Sequence, residues 1–404
     1  MRCFISALAA GLLELAHPDG AAAQTPRQNP FRQAEEQLLD GKGNLNYVAP
    51  LRTLLAGKAQ FDPDVYGQAL ATYYSFVGQL SPAPRSTASR PGTYQLADPM
   101  PLIAARAKIS RVVILNEDHT QPGHRAFCQE LLTVLASLGY HHFAVEALDP
   151  ADKAINTRNY PLSSSGYYTR EPTMGRLLRT ARATGFEVFG HEITRGQGKE
   201  FADWRRQSNY RDSMQAVNIL AVMKKNPAAK IVAYVGHDHV LEHEREGLKH
   251  MAAYLRELGH FDPLTIDQTT PYYYAGPAPT TPRLLTTNGQ VPTTTGFNAQ
   301  LVDLQVIHPP HVAPGNRPAW LATAAAGKLI QVPIPSPYAG TQCLAQLYDQ
   351  GEYQRHGDQA IPLDQYFSAA SQKQVRLYAL FPKQRVVVKY RPANLRLAAD
   401  RLSH

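Results

Sequence analysis

Glu117 and His119 stand two residues apart at the end of a short apolar run, in the stretch RVVILNEDHTQPGHRAF over residues 111–127. A carboxylate beside an imidazole at that spacing can orient a general base, hold a water or ligate a metal. Glu146 lies inside a second apolar run, Phe143 to Ala147, and His237 and His239 follow a third, Lys230 to Val235. A carboxylate in an apolar run is costly unless it is paired or hydrogen-bonded, so Glu146 requires a partner. Two histidines and two glutamates converging would suit a divalent metal such as Zn, Mn or Fe, with Glu117, His119, Glu146 and His239 as ligands. The same four could instead hold a water between a histidine base and an orienting carboxylate. A third arrangement has Glu117 and Glu146 paired with Arg211 or Arg206 as a brace at the sheet edge. His239 and His243, four residues apart, could share a helix face. His191 and Glu192 are expected to form a satisfied, partly buried pair and not a ligand site.

These residues need a scaffold that brings them together. From about residue 100 the pattern alternates strand and helix, which predicts an α/β fold with a mostly parallel sheet covered by helices on both faces. Strands are expected at Val112–Leu115, Phe143–Ala147, Glu187–Ile193, Lys230–Val235 and Leu264–Asp267. Helices are expected at His124–Leu138, Thr173–Thr184, Phe201–Lys225 and Leu241–Leu258. In a parallel sheet all the polar groups just named fall at one carboxyl edge, where open α/β sheets bind ligands.

An N-terminal helical module is expected over residues 24–95, from periodic stretches at Gln28–Leu39 and Tyr66–Leu80. The α/β core then spans 96–270 and a Pro/Thr-rich connection 271–300. A C-terminal α+β extension covers 301–404, with strands at Val302–Ile307 and Arg385–Tyr390 and a short helix at Thr341–Tyr348. Residues 1–23 read as an export signal: Arg2, an apolar stretch from Phe4 to Ala16, then Ala21-Ala22-Ala23 before a cleavage point near Ala23. That predicts a periplasmic or secreted protein. No later run is long enough to cross a bilayer.

The 404 residues are 44% hydrophobic and 18% charged, which supports a packed core and argues against wholesale disorder. Formal net charge is +8, and removing Arg2, Glu14 and Asp19 with the signal leaves +9. The basic residues are scattered, without a stacking motif or basic helix, so nucleic acid is not an expected partner. A small-molecule or peptide substrate is. Beyond Cys3 there are two cysteines, Cys128 and Cys343, which could pair or remain separate buried thiols.

Four motifs in order carry a family resemblance: Asn116-Glu-Asp-His119 with Pro122 and His124 behind it, Phe143-Ala-Val-Glu146, Arg211-Asp-Ser-Met214 and Gly236-His-Asp-His239. Together they resemble the superfamily of erythromycin esterases, ChaN-like haem-binding proteins and the TIKI/TraB group, over about residues 108–268. The Glu-x-His spacing is closer to the ChaN-like branch. Asn116 stands where that family usually has Gly, and Asn is the residue that best tolerates a positive φ after Gly.

The resemblance implies a hydrolase of an ester or amide bond. His119 would be its general base or a metal ligand, Glu117 and Glu146 orienting groups, and His239 would complete the site. Arg211 would offset developing negative charge, and His124 and His237 would be cofactor-binding candidates. No Gly-x-Ser-x-Gly elbow is present, so an activated water is expected as nucleophile. The alternative implied is a haem- or iron-binding protein without catalysis, with Tyr167, Tyr168 or Tyr272–Tyr274 beside the ligand.

Overall fold

The computed structural model describes residues 28–79, 94–270, 279–309, 317–318, 320–323, 327–393 and 395. The export signal, its cleavage point and Tyr272–Tyr274 lie outside these residues. The chain divides into two compact units, one within residues 1–81, 329–379 and 383–404, the other within 82–328 and 380–382.

The first unit joins the two ends of the chain. Helices α1 (Pro30–Leu38), α2 (Val48–Ala56) and α3 (Pro63–Phe76) share it with a two-stranded and a three-stranded antiparallel sheet. Asn29 caps α1 through its side chain, which accepts from Phe31 and Arg32 N–H, with Pro30 at the first turn. The expected N-terminal module up to residue 79 and the expected C-terminal extension from residue 329 onward share this unit, in which Arg52 donates to the Ala393 carbonyl at 3.0 Å; residues 94–95 and 304–307 of the two expected regions belong to the second unit. The helix expected at Thr341–Tyr348 is instead a strand, Cys343–Asp349, flanked on both sides by partners and almost wholly buried. Pairing on both edges overrides the weak helical pattern of its side chains.

The second unit is a doubly covered α/β sheet, as the alternating pattern predicts. Its elements in chain order are β1 (Tyr94–Ala97), α4 (Pro99–Ala107), β2 (Val112–Glu117), α5 (Pro122–Ala136), β3 (His142–Val145) and α6 (Ile155–Arg158). There follow α7 (Pro172–Ala183), β4 (Glu187–Gly190), α8 (Trp204–Lys225), β5 (Ile231–Gly236), α9 (Met251–Gly259), β6 (Leu264–Asp267), β7 (Arg283–Thr287), β8 (Val291–Pro292) and β9 (Leu304–Ile307). Strand order is β1-β7-β9-β6-β2-β5-β3-β4, with β8 on β7. The pairings from β4 through β3, β5, β2 and β6 to β9 are all parallel, and β7 joins antiparallel. The expected connection at 271–300 thus contributes β7 and β8 to this sheet.

β2 and β5 are central and buried throughout, which suits their Val/Ile-rich sequences. Ile114 of β2, Ile231 and Ala233 of β5, Ala216 and Ile219 of α8 and Leu255 of α9 share one buried apolar core. Helix α9 is shorter than the expected Leu241–Leu258. Glu246 and Gly247 both take positive φ and Arg245 pairs with Leu248, so residues 241–250 form a turn in which His243 shares no helix face with His239. Cys128 and Cys343 are buried free thiols. No helix among the described residues is long and apolar enough to cross a membrane.

Candidate functional site at the carboxyl edge of the sheet

The site is built on the register of β2 against β5, which sets Glu117 beside Gly236. Glu117 is the last residue of β2 and 1% exposed. Its two oxygens take Arg125 Nε at 2.6 Å and Nη2 at 2.7 Å, and Oε1 also receives His119 Nδ1 at 2.7 Å. Burial alone would raise this carboxyl, but the Arg125 charge and His119 bring it down to about 2. Arg125 projects from the first turns of α5, which Pro122 starts, and is itself fully buried. Its Nη1 reaches Glu171 at 2.8 Å. Glu171 is also the N-cap of α7, accepting from Thr173 and Met174 N–H, so one carboxylate ends a helix and anchors the guanidinium.

His119 is thereby oriented through Nδ1, and its ring stacks on Tyr168 with centroids 4.0 Å apart. His237 stands edge-on to it at 6.0 Å. His124, on α5, accepts the Asp118 N–H on Nδ1 at 3.1 Å and lies against His308. It helps shape the turn after β2.

Glu146 immediately follows β3. Its Oε2 accepts the Gly236 N–H at 2.6 Å, and its Oε1 receives Arg211 Nη2. Arg211, from α8, also binds Glu192 through Nε at 2.9 Å and through Nη2. Burial opposes the Glu146 charge, but His239, Arg211 and His119 together hold its carboxyl well below the usual range. The next residue of α8, Asp212, accepts His239 Nδ1 at 2.6 Å and the Met251 N–H at 2.7 Å. His239 Nε2 lies 3.1 Å from Arg211 Nη1 and 3.5 Å from Glu146 Oε1. Burial disfavours a charge on His239, yet Asp212 and Glu146 outweigh it and raise the imidazole to about 9. Nε2 thus has both a donor, Arg211 Nη1, and an acceptor, Glu146 Oε1, within 3.5 Å.

The structure therefore places two histidines, each fixed through Nδ1 by a buried carboxylate, on either side of the Glu146–Arg211 pair. Glu117, His119, Glu146, Arg211, His237 and His239 all reach this edge. The predicted brace is half present: Glu146 pairs with Arg211, whereas Glu117 pairs with Arg125. Arg125, Glu171 and the orienting role of Asp212 were missed. An arginine eight residues after Glu117 on the next helix was the available signal.

Asn116 also differs from expectation. It is extended backbone inside β2 with no positive φ. Its amide ties strands together, donating to Asp267 Oδ1 and the His237 carbonyl at 2.8 Å each and accepting the Gln268 N–H at 2.7 Å. His191, expected to be satisfied, is 0% exposed, and among the described residues neither ring nitrogen has a hydrogen-bond partner.

Of the expected metal ligands Glu117, His119, Glu146 and His239, the two carboxylates are each bonded to a guanidinium, Arg125 and Arg211, whose charge opposes a divalent ion beside them. Asp212, His239 and His250 form a candidate ligand triad, with donor atoms within 4.8 Å of one another. Within this triad Asp212 and His239 Nδ1 are 2.6 Å apart.

A mostly parallel α/β sheet with a buried histidine–carboxylate site at its carboxyl edge is the class of protein these features define. No protein-family model and no curated protein matches the chain. Solved structures similar to it include the type III effector HopBA1, at 13% identity over 54% of this chain and 98% of that one, with a TM-score of 0.36. ChaN of Campylobacter jejuni, in a structure of cofacial heme binding, is 11% identical over 52% of this chain and 91% of that one, at a TM-score of 0.31. RRSP, a MARTX toxin effector domain from Vibrio vulnificus CMCP6, is 14% identical over 48% of this chain and 37% of that one, at 0.30.

Proposed function

We propose that the protein is a hydrolase of an ester or amide bond that uses a water activated by His119 and a proton supplied by His239, without a resident metal. The observation that carries this reading is the pair of imidazoles, each with Nδ1 on a buried carboxylate and Nε2 directed to the other side of the ring. Two histidines in different charge environments divide acid and base roles.

His119 accepts the water proton on Nε2 as the water oxygen bonds to the carbonyl carbon, and Glu117 stabilises the imidazolium formed. His239 begins as the imidazolium and gives its Nε2 proton to the leaving oxygen or nitrogen as the carbonyl–leaving-group bond breaks. Its Nε2 then accepts from Arg211, which stands ready at 3.1 Å. Arg211 also supplies positive charge beside the reaction, held in place by Glu146 and Glu192.

The test is a panel of chromogenic esters and fluorogenic peptides, with and without chelator, on the wild type and on His119→Ala and His239→Ala. Turnover that survives chelation and falls at least about 10²-fold in each variant is the expected result. Turnover lost on chelation would replace the water-only mechanism with a metal-supported one. No turnover, with a Soret band on haem titration that His119→Ala abolishes, would replace it with haem binding.

A further inference from the structure

His191 follows β4 at the same edge of the sheet and is fully buried. Its main chain is firmly held: Asn218 of α8 donates to the carbonyls of His191 and Glu192 at 3.0 and 3.1 Å. The ring is not, for among the described residues neither Nδ1 nor Nε2 has a hydrogen-bond partner. Gln215 shows the same pattern, with Nε2 donating to Glu192 at 3.1 Å and a buried Oε1 that has no partner among the described residues.

The ring is close enough to Glu146, Glu192, His239 and Arg211 to feel the charge of each, and burial pushes it down to about 4. At neutral pH it is an uncharged imidazole, offering one N–H donor and one lone pair. Unpaired buried polar groups cost stability, and a Phe of similar size would remove that cost. A fully buried imidazole with both nitrogens unpartnered among the described residues, and with charged side chains near it, points to a partner outside the protein chain.

We propose that His191, with Gln215 Oε1, holds a buried water against the Arg211–Glu192 pair and acts as a positioning residue for Arg211 and His239. A water that meets one of the two ring nitrogens, accepting if that nitrogen carries the proton, can also donate to the Gln215 amide oxygen, which needs a donor. The catalytic consequence rests on the hydrolytic reading above; the water contact does not.

Protein labelled with 15N-histidine shows the ring directly. At pH 7 the expected His191 signal is a neutral single tautomer whose N–H proton gives a rotating-frame cross peak to a long-lived water. A neutral ring proton with no water contact overturns the proposal, and wild-type protein alone gives that answer if a variant fails to fold. For a substrate that the wild type turns over, His191→Phe should lower kcat about tenfold or more with KM unchanged, and His191→Gln, which keeps a donor and an acceptor, should restore it. Unchanged kcat in a folded His191→Phe overturns the positioning role. If the wild type hydrolyses nothing, the hydrolytic reading fails while the water contact is still decided by the spectrum.

Discussion

Gly236 lies so close to His119 that a Cβ at position 236 would stand 2.8 Å from the imidazole Nε2. The backbone of Gly236 is ordinary, at φ −80°, so it is space and not conformational freedom that requires glycine there. The imidazole cannot easily give way, because Glu117 holds one end and Tyr168 covers one face. Gly236→Ala should therefore leave the sheet intact and displace His119. Turnover is expected to fall about 10²-fold, since a displacement of about 1 Å in a catalytic group costs that much. Thermal unfolding and steady-state kinetics on the same preparation check it, and a fully active Gly236→Ala would contradict the placement of His119.

Arg125 is a second point of leverage, away from the reacting atoms. It is buried between Glu117 and Glu171, so removing it strands two buried carboxylates. Arg125→Met should destabilise by about 3–5 kcal/mol, the usual effect of breaking one side of a buried pair. Adding Glu117→Gln removes one stranded charge and should recover part of the loss. Urea unfolding of the single and double variants measures the coupling, and additive losses would show that the two residues act independently.

The sheet was legible because its signal is local: Val112–Leu115 and Ile231–Val235 are apolar runs that end abruptly in charge. The carboxyl edge followed from their being parallel, and so did the gathering of Glu117, Glu146 and His239. What could not be read was pairing. Arg211 and Arg206 were equal candidates by sequence, and Arg125, inside a helix that reads as plain amphipathic, was the partner that Glu117 takes. Helix boundaries failed where charged residues mimic helical spacing, as in Leu241–His250, where two positive φ angles make a turn. Cys343–Asp349 failed for the opposite reason, since only its neighbours on both sides make it a strand.

The acid limb of stability should come from this same edge. Glu117 is held at about 2 against 4.5 for an ordinary glutamate, and Glu146 is shifted in the same direction. A carboxyl lowered on folding contributes stability that is present in full above the unfolded value and disappears as pH falls through the folded one. The loss from Glu117 should therefore fall between pH 4.5 and about 2. Denaturation followed over that range should show a flatter slope in Glu117→Gln than in the wild type, and an unchanged slope would place the acid-sensitive group elsewhere.

His239 sets the opposite limb. Asp212 is the main group raising its imidazole, to about 9 from 6.5, so the charge adds stability that is full below pH 6.5 and lost as pH rises through 9. The protonated ring is also the form that can give a proton to a leaving group, so turnover should decline across the same alkaline interval. Asp212→Asn keeps an oxygen for the Met251 N–H but removes the negative charge, and the His239 titration should then move down toward 6.5. Ring signals followed by NMR across pH 5 to about 10 would show the shift, and the alkaline limb of the rate profile should move with it. A His239 titration that stays near 9 in Asp212→Asn would mean that Glu146, the other carboxylate beside the ring, holds the charge. Glu146 would then be the group that sets the acid, and Asp212 would serve only to fix the tautomer and the start of α9.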